Sequence, residues 1–124
     1  MQMIGQLIAT MFLSREMAHR VHLRVSGTGS FAKHSALGEF YPAIIDIADS
    51  ITEAYQGRHA LIEIPYLEGD DDYLDIIPIL EKHLSDIEKL RYVAVDKSDT
   101  AIQNLIDEAV GIYLSALYKL KNLK

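Results

Sequence analysis

Cysteine is absent from the chain. That excludes disulfides and thiolate-held zinc or iron–sulfur clusters, so any metal must be held by nitrogen and oxygen ligands. With no thiol framework, an intracellular and specifically cytoplasmic setting is the default expectation. Positive charge is scarce: 12 lysines and arginines face 18 carboxylates, a net charge of −6. Such a chain repels nucleic acid on average, and DNA binding is not expected. The only basic cluster, Lys119, Lys121 and Lys124, fits the preference of cations for a helix C-terminus. Long apolar runs are missing too. Met3 to Leu13 is the nearest approach, but it carries Gln6 and Thr10, follows no basic residue and precedes no small-residue cleavage site. It therefore reads as neither a signal peptide nor a membrane span. There is no internal repeat and no low-complexity tract.

What is present is material for one core. At 124 residues and 49 % apolar, the chain fills a single domain, 1–124, and leaves no room for a second. Four stretches carry apolar residues at three- and four-residue spacing. The first runs from Met3 to about Val25 with Ile4, Leu7, Ile8, Met11, Ala18, Val21 and His22 on one face. Ser26-Gly27-Thr28-Gly29-Ser30 breaks it, with Ser30 placed to cap the next helix. The second runs to about Gln56, with Phe31, His34, Leu37, Tyr41, Ile45, Ala48, Thr52 and Tyr55 aligned and Pro42 inside it. Periodicity then lapses. Leu61 to Pro65 has the composition of a short strand, and Gly69 to Asp72 that of a loop ending in a cap. The third helix spans about Tyr73 to Val95, with Pro78 expected to disturb its first turn. The fourth follows the cap-like Lys97-Ser98-Asp99 with Ile102, Leu105, Ile106, Ala109, Tyr113, Ala116, Leu117 and Leu120. Short first and third connections make antiparallel neighbours, and the long middle one can cross the bundle. The expected fold is an all-α antiparallel four-helix bundle with a crossover between helices 2 and 3.

The chemistry concentrates between His22 and Glu53. His22 closes the first helix, His34 lies in the first turns of the second, and Asp49 and Glu53 form an i, i+4 carboxylate pair near its end. Like charges at that spacing cost a bare helix roughly 0.2–0.5 kcal/mol, and a cation between them reverses the sign. His34 and Asp49 are fifteen residues apart, hence about 22 Å along one helix. One ion cannot touch both in a single chain. Two copies of the helix packed antiparallel about a twofold axis near Ala43 bring His34 of one opposite Asp49 and Glu53 of the other, which makes the expected active unit a homodimer.

His22-Leu-Arg-Val-Ser-Gly27-Thr-Gly-Ser-Phe31-Ala-Lys-His34, followed by Asp49-x-x-x-Glu53, resembles the ferroxidase signature of the Dps family of mini-ferritins. The spacing between the histidines and the spacing from His34 to the acidic pair both match. The last helix from Asp99-Thr100-Ala101 also looks like its counterpart, so the resemblance covers all but the middle connection. It implies a ferritin-like fold and a non-haem iron site at a twofold interface, with His22 and His34 from one chain and Asp49 and Glu53 from its partner. It further implies oxidation of iron(II), usually by peroxide, and storage inside a closed shell of subunits. The sequence departs from the family in three places. Gly38 stands where an aspartate is usual, with Glu39 adjacent but about 100° around the helix. Leu23 replaces a tryptophan. The lysine-rich N-terminal arm used on DNA is not found.

The remaining candidates have plainer readings. Asp46 reads as a solvated or interface carboxylate, His59 and His83 as structural, and His19 as either an auxiliary ligand or a surface residue. Glu16-x-x-His19 matches the motif of larger di-iron bundles, but a second copy is missing, which argues against a site inside one subunit. Tyr41, Tyr55, Tyr113 and Tyr118 read as core and interface residues. Two functions follow: an iron-binding protein with ferroxidase capacity, or a non-enzymatic helical assembly protein that retains the fold with a degraded site.

Overall fold

The computed structural model describes residues 2–69 and 75–124, and every regular element in it is helical: α1 (Met3–His22), α2 (Ser30–Arg58), α3 (Ile76–Ala94) and α4 (Thr100–Asn122). Helix α1 stops three residues before the expected Val25, and just past its end the amides of Arg24 and Val25 both close onto the carbonyl of Val21. Ser30 does not cap α2. The cap position belongs to Gly29, whose φ of +80°, like the +87° of Gly27, is open to glycine at no steric cost. Helix α2 continues through Pro42 and two residues past Gln56. Asp99 caps α4 as its position suggests, accepting from the amide of Ile102 at 3.3 Å. Just before it, Asp96 accepts from the amide and hydroxyl of Ser98, which hold its carboxyl below the usual range.

Each helix touches two others. α1 packs on α2 and α3, and α4 packs on the same two, so α1 and α4 stand at opposite corners, as do α2 and α3. Ion pairs give the directions. Arg58 at the end of α2 meets Asp99 at the start of α4, while Glu39 near the start of α2 meets Lys119 near the end of α4. Glu81 of α3 likewise pairs with Lys121. α2 and α3 therefore run in the same direction, and the chain between them has to travel the length of the bundle. Its described part does so along α1. The amide of Glu63 reaches the side chain of Gln2, Glu63 crosses Gly5 so closely that a Cβ there would meet its carbonyl oxygen, and Gly69 sits on Met17. The strand expected at Leu61 to Pro65 does not form, for the segment has no neighbouring strand to pair with among the described residues. The expected loop and cap at Asp70 to Asp72, and Tyr73 and Leu74 of the third helix, lie outside the described residues. Pro78 falls in the first turn of α3, where a missing N–H costs no helical hydrogen bond.

The core draws on all four helices, with Leu7, Ile8 and Met11 of α1, Leu37, Ile44 and Ile51 of α2, Leu80 and Ile87 of α3, and Ile106 and Tyr113 of α4 fully enclosed. On α2 the buried face is rotated from the expected one. Ala36, Leu37, Phe40, Ile44, Ile47, Ala48 and Ile51 face inward, while Phe31 is 81 % exposed and His34 is exposed. Both stripes have helical spacing. The choice falls to the one that faces α1 and α4 together and buries Phe40 edge-on against Tyr113, ring centroids 5.1 Å apart.

Candidate functional site

The turn that joins α1 to α2 clasps two histidines together. Nδ1 of His22 lies 2.7 Å from the carbonyl oxygen of His34, and Nδ1 of His34 lies 2.8 Å from the carbonyl oxygen of His22. A carbonyl only accepts, so both Nδ1 atoms carry the hydrogen. The lone pair of each ring therefore resides on Nε2. Neither Nε2 makes a hydrogen bond among the described residues. The rings stack at 3.8 Å between centroids with 17° between planes. Locally, His22 supplies the last turn of α1, where its carbonyl has no helical partner, and the imidazole of His34 satisfies it. An imidazole with one nitrogen anchored on an acceptor has its tautomer and ring orientation fixed, and its second nitrogen keeps a lone pair.

Around the pair, Tyr41 has its centroid 5.4 Å from that of His22 and is itself stacked on His19 at 4.2 Å and 9°. His19 is thus a packing partner of Tyr41, with its ring 6.4 Å from His22. Glu39, the nearest carboxylate in sequence to Gly38, is bound to Lys119 of α4. Asp49 and Glu53 lie exposed on α2, and neither makes an ion pair or hydrogen bond among the described residues. Because α2 is unbroken from Ser30 to Arg58, Asp49 remains about 22 Å and Glu53 about 28 Å from His34 along the helix axis. The chain brings His22 and His34 together and holds Asp49 and Glu53 apart from them. No group of three metal-ligating side chains forms within one copy among the described residues.

A second polar cluster escaped the sequence reading. Ser14, fully buried on α1, accepts the hydroxyl of Tyr113 at 2.6 Å and donates to the carbonyl of Thr10 at 3.1 Å. Nδ1 of His83 lies 2.7 Å from Oγ of Ser14. The single hydroxyl hydrogen is committed to Thr10, so His83 donates from Nδ1. Burial pushes the Tyr113 hydroxyl well above its usual pKa. The signal was available. Ser14 and His83 both sit in the apolar stripe of their helices, at three or four residues from Met11 and Ala18 and from Leu80 and Ile87. His59, by contrast, is exposed at the end of α2, tilted against Tyr55 at 4.5 Å.

The architecture and corner together define an all-helical four-helix bundle carrying a backbone-clasped histidine pair. No helix among the described residues is long and apolar enough to cross a membrane. Over residues 22–120 the chain matches DUF5856, described as a family of unknown function, and it belongs to that family. The matched span opens on His22 and contains His34, Gly38, Asp49 and Glu53. No curated protein and no solved structure matches the chain.

Proposed function

We propose that this chain is a Dps-like iron-binding protein whose metal sites are shared between two copies. His22 and His34 of one copy form the imidazole half, and Asp49 and Glu53 of the other form the carboxylate half. The observation that carries the reading is the reciprocal clasp, which leaves the Nε2 lone pairs of two stacked rings uncommitted at the helix-to-helix turn. Mixed imidazole and carboxylate donors suit iron(II). On the exposed face of α2, His34 stands in the first half and Asp46, Asp49 and Glu53 in the second, so antiparallel pairing about Pro42 to Ile45 sets imidazole against carboxylate. Two exposed carboxylates four residues apart repel until a cation or the partner's histidines face them. Iron is the cargo in this reading, and the anionic ligands favour its oxidised form, which is the basis for ferroxidase capacity. A cytoplasmic place and a larger closed shell belong to the same proposal.

Anaerobic titration with iron(II) tests it. The parent binds, H34A and E53A do not, and light scattering shows a dimer or larger. Mixing the two variants restores up to about a quarter of the parent sites, because random exchange puts one intact site in each heterodimer. Parent-like iron binding by both variants would refute the site. The second reading, an assembly protein with a degraded site, is favoured by Gly38, which provides no carboxylate beside the histidines. It requires the same dimer with no iron uptake.

A further inference from the structure

We infer that Gly38 is a positioning residue: its bare backbone is the seat on which the His22 ring lies, and the absence of a side chain there keeps the histidine clasp closed. A Cβ on Gly38 would stand 2.9 Å from Cε1 of His22, 3.4 Å from Nδ1 and 3.8 Å from Nε2. The Nδ1–Cε1–Nε2 edge of the ring thus rests on α2 at Gly38. Cβ contacts under 3 Å essentially do not occur, so any other residue at 38 displaces the ring. The ring has little freedom to yield. Its Nδ1 is tied to the carbonyl of His34, its face is stacked on His34, and the tilted ring of Tyr41 stands beside it. Moving it breaks the hydrogen bond that keeps the hydrogen on Nδ1 and the lone pair on Nε2. The space that an extra carboxylate at 38 would need is already filled by imidazole. The site formed on this corner consequently takes one ion rather than two. The inference rests on the proposed metal reading only for that last consequence.

A competing reason for glycine must be separated from this one. Pro42 lies four residues further along α2, and a proline ring crowds the carbonyl at i−4, which is that of Gly38. The two causes differ in their dependence on His22.

The test begins with the metal-free chain. Imidazole nitrogen–proton correlation spectra at pH 8 show Nδ1–H on both His22 and His34 in the parent and in G57A, a glycine-to-alanine change on the same helix with open space around it. In G38A the His22 signature is lost. G38A spectra that keep both Nδ1–H forms overturn the inference. Thermal unfolding provides a readout if G38A is too unstable for spectra. G38A lowers Tm in the parent, whereas G38A in an H22A background raises it, because the clash is gone and alanine favours helix. An equal fall in both backgrounds assigns the glycine to Pro42 and overturns the inference. Iron(II) titration then judges the two readings separately. A parent that binds no iron(II) removes the metal proposal while the spectra still decide Gly38. A parent that binds is expected to lose about 10- to 100-fold in affinity on G38A, the usual effect of disturbing a ligand's anchoring hydrogen bond.

Discussion

Two histidine environments in one bundle show what burial does to the same side chain. His83 is buried, with its Nδ1 spent on Ser14, which in turn holds Tyr113 and Thr10. His22, half-buried, and His34, exposed, stand where α1 ends and α2 begins, each with one nitrogen spent on a main-chain carbonyl and the other left without a hydrogen bond among the described residues. The first arrangement joins α1, α3 and α4 and is a matter of stability. The second costs little to expose, and it leaves lone pairs available for chemistry. The lesson is that a histidine's use is decided by how many of its nitrogens the fold consumes.

The largest expected effect lies in the buried cluster. S14A leaves the Tyr113 hydroxyl and His83 Nδ1 without their shared partner, and each orphaned group costs about 1–3 kcal/mol. Urea unfolding should therefore show a loss of about 2–6 kcal/mol. Y113F in the S14A background should return part of it, because one orphan is removed. At the clasp, H22A and H34A each delete a neutral hydrogen bond on a partly exposed surface, a loss of about 0.5–1.5 kcal/mol, while abolishing iron binding under the proposed function. Should H34A destabilise the chain as much as S14A does, the distinction between the two environments collapses.

A smaller effect concerns pH. The Tyr113 hydroxyl titrates above its ordinary value of about 10 because it is buried, so the folded chain keeps a proton that the unfolded chain releases. Its contribution is complete below about pH 10 and is lost as pH rises from there. Urea midpoints measured from pH 8 to 11 should fall steeply in the parent and less steeply in Y113F. An identical slope in both would mean that the buried network does not sense alkali. Smallest of all is G57A, where nothing lies near an added Cβ. Alanine there should stabilise α2 by up to about 1 kcal/mol, seen as a slightly higher Tm.

Much of this was legible in the one-dimensional pattern. The spacing of Ile4, Leu7, Ile8 and Met11, and of Ile102, Ile106, Ala109 and Tyr113, specified α1 and α4 and their buried faces, since helical periodicity and burial are the same information seen twice. Asp99 announced the start of α4 because a carboxylate at that position has one local task. The face of α2 was misjudged. Two apolar stripes share that helix, and Phe31 and Tyr41 looked as suited to the core as Phe40 and Ile44.

The sequence by itself determined an all-helical chain, four helices, the lack of any thiol chemistry and the identity of the candidate ligands, all of which depend on neighbours within about four residues or on composition alone. Tertiary structure decided the rest. That His22 and His34 exchange hydrogen bonds with each other's main chain, that Ser14 meets His83 and Tyr113, and that Gly38 underlies an imidazole all depend on which helix faces which and at what rotation. Those contacts join residues up to 99 positions apart, and their geometry is set by the packing of whole helices rather than by local preference.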